Sequence, residues 1–179
     1  MQIKAITRYQ QNFGFSLVEL MITIVILGVV TAIAVPSYTG MVANNRVVEA
    51  SNRLMSNIQQ ARSEAIKRNS PVSLGTYTSQ YWHKGWKMYA GDLTGSDTVG
   101  AGDVLIRLVP ASDDSVTMYA NTHAGTWLSF FANGMMNEAS NAIFYICNNG
   151  DASRGRMITV DRGGRARIDD IPSNDDCKP

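Results

Sequence analysis

Two histidines and two cysteines are all the imidazole and thiol ligands that the 179 residues offer a metal. His83 and His123 stand isolated and no C-x-x-C occurs, so a metal site has no ligand set to draw on. Signatures of nucleophilic and phosphate chemistry are missing too. There is no G-x-S-x-G, no H-E-x-x-H, and no glycine-rich loop with the lysine of a P-loop. These absences speak against an enzyme and against a bound cofactor. Charge of one sign is also lacking. The chain has 16 basic side chains against 15 acidic ones, and two of the basic ones, Lys4 and Arg8, precede Gly14. Bulk electrostatics therefore argues nothing about nucleic acid. Neither an internal repeat nor a low-complexity tail is present.

What is present begins with a short leader, residues 1–14, that carries two basic side chains and no acid. That charge suits the cytoplasmic side of a membrane. Residues 15–35 then form an apolar run in which Glu19 is the only charge. As a helix the run spans roughly 31 Å, about one bilayer core. A secretory signal peptide is the rival reading, since Ala32, Ala34, Pro36 and Ser37 superficially resemble a cleavage site. Its apolar core would be unusually long, however, and neither it nor a simple signal anchor explains Glu19. A lone carboxylate facing lipid is costly unless something neutralises it. Cutting after Gly14 would free an α-amino group on Phe15, about one helical turn from Glu19. The pattern points to a processed subunit, held in a membrane and then packed into a polymer.

After Pro36, which removes one helical hydrogen bond and kinks the helix or ends it locally, the composition changes. Val47, Leu54, Ile58, Ala61 and Ala65 recur at helical spacing among polar residues. An amphipathic helix is expected over about 41–68, stopped by Asn69-Ser70-Pro71. The remainder reads as short strands at 72–77, 85–89, 104–109, 116–120, 126–131, 142–147, 157–160 and 165–168. Gly91, Gly95, Gly100 and Gly102 mark a flexible loop. The aromatic residues Trp82, Trp86, Tyr89, Trp127 and Phe130 read as core, and His83 as a surface or packing residue in a turn. The domain plan is a leader at 1–14, a transmembrane and assembly helix at 15–38, its amphipathic continuation at 39–70, and a β-rich head at 71–179.

The segment GFSLVELMITIVILGVVTAIAVPSY, residues 14–38, resembles the class III signal and N-terminal helix of type IV pilins and type II secretion pseudopilins. The resemblance implies that a prepilin peptidase cuts between Gly14 and Phe15 and methylates Phe15. It also implies that Glu19 neutralises the N-terminus of a neighbouring subunit during assembly. The later strings YWHKGWKMYAGD, DVLIRL and IFYICNNGDASRGRMITVDRGGRAR, with the late Cys177, resemble the GspH/FimT branch of that family. The implied fold is α+β, a long N-terminal helix packed on a β-rich head. The implied partners are other pilin or pseudopilin subunits, the prepilin peptidase and the inner membrane before assembly. The head would be periplasmic and the pass single. Placing Cys147 and Cys177 in that oxidising compartment makes a disulfide the default, closing the stretch between them into a loop.

Arginine placement is the other feature above background. Arg154, Arg156, Arg162, Arg165 and Arg167 crowd the stretch 154–167 against Asp161 alone. A hairpin through Gly163-Gly164 would let most of them share one edge. Arginine's fork suits phosphate. Gly164-Arg165-Ala166-Arg167 resembles the G-R-x-R tail motif of FimT-type minor pilins of natural transformation. That resemblance implies contact with double-stranded DNA, without sequence preference, through Arg165 and Arg167, with Arg154, Arg156 and Arg162 as helpers. Against this, Asp169, Asp170, Asp175 and Asp176 follow closely and would quench the patch by pairing. A structural minor pilin, or a type II secretion pseudopilin whose head meets only proteins, stands as the alternative.

Overall fold

The computed structural model describes residues 14–78, 80–91, 102–138, 140–172 and 177. The leader up to residue 13, most of the glycine-marked loop at 92–101, and Asp175 and Asp176 lie outside the described residues. The chain forms two compact units, divided between Gly40 and Met41.

Helix α1 runs from Leu17 to Arg68. In the first unit it is apolar on all sides apart from Glu19, and every large apolar side chain over residues 15–35 is at least 55% exposed. The hydroxyls of Thr23 and Thr31 donate to the carbonyls of Leu20 and Leu27 in the same helix. Hydroxyls satisfied in this way suit a medium that offers no water. Among the described residues this is the one helix long and apolar enough to cross a membrane. The helix does not end at Pro36, one of the two outcomes the sequence left open.

In the second unit α1 presents a single buried stripe. Val47, Ala50, Leu54, Ile58, Ala61 and Ala65 recur at steps of three and four and are each no more than 5% exposed. The helix stops as its sequence dictates. Asn69 adopts a left-handed φ of 48°, Asn69 N–H donates to the Ile66 carbonyl, and Ser70 N–H donates to the Ala65 carbonyl. This is a Schellman cap, followed by the proline that prevents further helix.

Eight strands follow: β1 (Val72–Thr76), β2 (Trp86–Ala90), β3 (Val104–Val109), β4 (Val116–Ala120), β5 (Trp127–Phe130), β6 (Ala142–Asn148), β7 (Asp151–Val160) and β8 (Ala166–Asp170). They pair antiparallel in two four-stranded sheets, ordered β3-β2-β1-β5 and β4-β6-β7-β8. One core joins both sheets to the helix stripe. Trp82, fully buried before β2, donates its indole N–H to the carbonyls of Ala124 and Gly125 and meets Phe144 edge-on at 5.0 Å. Arg53 stacks over Trp86 at 5.5 Å and Arg107 bonds Gln60 at 2.8 Å, tying helix and first sheet together by polar contacts as well. The architecture is the α+β arrangement expected from the sequence. One element differs. The strand expected at 157–160 begins already at Asp151, because the polar run 151–156 extends β7 along β6, with β8 pairing only from Arg156 onward.

Candidate functional site

Gly14 and Phe15 precede α1, and Glu19 sits in its first turn. A Cβ added at Gly14 would touch nothing within 4 Å, so no packing contact demands glycine there. Among the described residues Glu19 has no ion-pair partner. Both residues are thus chemically unexplained inside the folded chain.

The arginine segment is built around the β7–β8 turn. Asp161 N–H donates to the Arg165 carbonyl at 2.9 Å and Gly164 N–H donates to the Asp161 carbonyl at 2.8 Å. Gly164 takes a left-handed φ of 73°, the geometry of a three-residue hairpin loop that closes on a glycine bulge. The Asp161 carboxylate accepts from Arg165 twice, from its backbone N–H at 2.9 Å and from Nε at 3.0 Å. The backbone bond from Arg165 is the main reason the Asp161 carboxyl titrates below its ordinary range, slight burial opposing it.

Arg165 and Arg167 are strongly exposed, their side chains 81% and 71% accessible. Each carries an acid partner, Asp161 for Arg165 and Asp169 for Arg167 at 2.9 Å. Arg156 pairs with Asp170. The five arginines do not share one edge. Arg167 lies opposite Thr159, whereas Arg156 lies opposite Asp170, in the alternate register set that also contains Ile158 and Val160. The two arginines therefore leave opposite faces of the β7–β8 pair. Arg165 and Arg167 line one hollow with Asp161 and Thr159, and Arg154 and Arg156 line another with Asn44 and Ile171. The expectation that most of them share one edge is corrected to this extent: strand alternation puts Arg156 on the face opposite Arg167, while Arg165 and Arg167 stay together. Arg162, in the turn itself, has no acid partner among the described residues.

Gly164 has a packing role that the sequence does not disclose. A Cβ there would collide with the Gly134 carbonyl oxygen and lie 2.9 Å from Arg62 Nε. Gly134 closes a second turn of the same design. Phe131 N–H donates to Met135, Gly134 N–H donates to Phe131, and Gly134 has φ 77°. The two turns meet glycine to glycine. Arg62, on the last turns of α1, donates Nε to the Gly134 carbonyl at 3.0 Å, and Met136 N–H donates to the Arg162 carbonyl at 3.0 Å. The Asn133-Gly134 dipeptide is the sequence signal for this second turn.

Cys147 on β6 and Cys177 form a disulfide with Cα atoms 6.2 Å apart. Gly155 makes room for the returning tail: a Cβ there would collide with Ile171 Cδ1 and lie 2.9 Å from Cys147 Sγ.

Similarity to known proteins follows the same two-part division. The family described as Type II transport protein GspH matches residues 50–164. The Prokaryotic N-terminal methylation motif matches residues 10–35. The fold is similar to the type IV minor pilin FimU of Pseudomonas aeruginosa strain PAO1 in two crystal forms. In space group P21 the identity is 26% and the TM-score 0.62, covering 74% of this chain and 96% of that one. In space group P65 the identity is 26% and the TM-score 0.58, covering 72% and 98%.

Proposed function

The chain belongs to the GspH family of type IV minor pilins and pseudopilins, and from that premise we propose that it is a processed assembly subunit whose head works through protein contacts. Its general role is that of a structural subunit of a pilus or pseudopilus, not an enzyme, and its single apolar helix fits one pass through the inner membrane. The finer reading is ours. The prepilin peptidase cuts between Gly14 and Phe15, Phe15 becomes the methylated N-terminus, and Glu19 pairs with that amine on a neighbouring subunit. Residues 15–38 form the membrane and assembly segment, 39–70 continue the helix, and 71–179 form a periplasmic head.

One observation carries this reading: an apolar helix segment, bare on all sides, beside a glycine and a glutamate that no contact of the folded chain requires. The mature chain then begins at Phe15. Intact mass and N-terminal sequencing of membrane-extracted protein test it, and a start near Pro36 or Ser37 would sink it. Glu19→Ala should insert in the membrane normally and fail to enter assemblies efficiently; native-level incorporation refutes the role given to Glu19.

Contact with double-stranded DNA through Arg165 and Arg167 is a second reading, favoured by one fact, their joint exposure near one turn. Their pairing with Asp161 and Asp169 weighs against it, since phosphate has to displace a carboxylate already in place. Titration of the detergent-solubilised chain with duplex DNA at two salt concentrations decides the matter. Salt-sensitive binding lost in the Arg165→Gln, Arg167→Gln double variant supports it, and no binding at low salt refutes it.

A further inference from the structure

The twin turns leave an apolar platform at the C-terminal end of α1. Ile66, Phe131 and Met135 are 51%, 37% and 43% exposed. They belong together. A Cβ at Gly134, between Phe131 and Met135 in the same turn, would lie 2.8 Å from Ile66 Cδ1. Isolated exposed apolar residues are ordinary, whereas these three are gathered on one turn-and-helix corner.

The rim of this platform is cationic. Arg62 donates Nε to a backbone carbonyl, and no carboxylate pairs with it among the described residues. Arg162, whose carbonyl holds the neighbouring turn, has no acid partner there either. Arg165, beside Arg162 at the same turn, is paired with Asp161. Three cations thus stand with one carboxylate at this corner, in a chain whose net charge is only +1. A partner that covers the apolar centre has to bring carboxylates to the edge.

We propose that this platform docks a different subunit of the same assembly, through a face with an apolar centre flanked by Asp or Glu side chains. The proposal rests on the assembly reading above and names a partner surface for it. A second copy of this chain is a poorer fit. Elsewhere among the described residues of the second unit, large apolar side chains are exposed at Met41, Tyr77 and Tyr81 and, as a run on one strand, at Val104, Leu105 and Leu108 of β3. That strand carries Arg107, and the flanking Asp103 carboxylate is turned against the Gly91 backbone. Duplex DNA would meet the arginines but leave the three apolar side chains unused.

The test uses the full-length chain in host cells, with a benzophenone amino acid replacing Met135 and, as control, the fully exposed Asp114. Irradiation should join position 135, and not 114, to another subunit that carries an N-terminal methylation motif, at a peptide containing Asp or Glu. Arg162→Glu should cut the adduct about ten-fold, as like charges now meet, while Arg162→Lys should retain most of it. A self-adduct, a lipid adduct, a nuclease-sensitive adduct, or a yield indifferent to Arg162→Glu overturns the proposal. So does silence at position 135 in a chain that is processed and incorporated, which leaves the assembly reading standing. A chain neither processed nor incorporated overturns both.

Discussion

The two stretches of α1 solve opposite problems with the same backbone. Over residues 15–35 the helix is apolar on all sides apart from Glu19 and exposed along its length; over 47–65 it is apolar on one stripe and that stripe is buried. A stripe can be covered by a folded domain. A fully apolar cylinder cannot, and needs lipid or neighbouring helices as its solvent. The first stretch therefore depends for its stability on things outside the chain, and the second on its own head.

The largest expected effect follows directly. Leu54→Ala, at a fully buried position, should destabilise the head by about 2–5 kcal/mol. Leu27→Ala, at a position 65% exposed, should leave head unfolding unchanged. Urea unfolding of the detergent-solubilised chain, followed by the fluorescence of the buried Trp82 and Trp86, separates the two. Equal losses would erase the distinction between the stretches.

Removing the tether should come next. The disulfide spans a sequence separation of 30, and Cys177→Ser should cost about 3.6 kcal/mol in the chain-entropy treatment. The loss should appear in the head and not in membrane insertion. An unchanged denaturation midpoint in Cys177→Ser would show that the tail contributes nothing to the head.

A smaller effect distinguishes the motif glycine from its arginines. Gly164→Ala places a side chain at φ 73° and against the Gly134 carbonyl, a strain of about 1–3 kcal/mol before any clash is relieved. Arg167→Gln removes one exposed ion pair and should cost no more than about 1 kcal/mol. If the glycine variant proves neutral by thermal melting, the glycine-to-glycine contact is not holding the two turns.

The N-terminal segment and the helical stripe are legible in the sequence because hydrophobic runs and a helical period are local signals, although the small Ala50 is hidden among larger neighbours. The Asn69-Ser70-Pro71 stop is local too. The first half of β7 is not legible: the polar residues Asp151, Ser153 and Arg154 carry no strand pattern of their own, and the segment becomes strand by continuing β7 back along β6. The acids near the arginine segment are visible in sequence, and with them the chance of pairing. Which acid meets which arginine depends on register. The meeting of Gly134 with Gly164 depends on tertiary packing of two turns that sequence keeps far apart.

The smallest effect is a pH dependence confined to the head. The His83 ring stands against β4, where Met118 N–H donates to Nδ1 at 3.2 Å, with Tyr81 and Tyr119 edge-on to it. Burial lowers its pKa below the ordinary 6.5, the neighbouring Lys84 adds to this, and the Met118 carbonyl opposes it. Protonation of Nδ1 also removes the acceptor for Met118 N–H. Since the folded value is lowered, the unfolded chain takes up the proton first. Stability is then complete above about pH 6.5 and falls as pH drops from there through the folded value. The exposed carboxylates with lowered values, Asp113, Asp151, Asp161 and Glu64, act only in more acid solution. Melts between about pH 7.5 and 5 should therefore show a modest decline in the wild-type chain and a flatter profile in His83→Gln, whose amide does not titrate. An equal decline in both would assign the effect to some group other than His83, and a rise in stability toward acid pH would contradict the sign that a lowered histidine pKa requires.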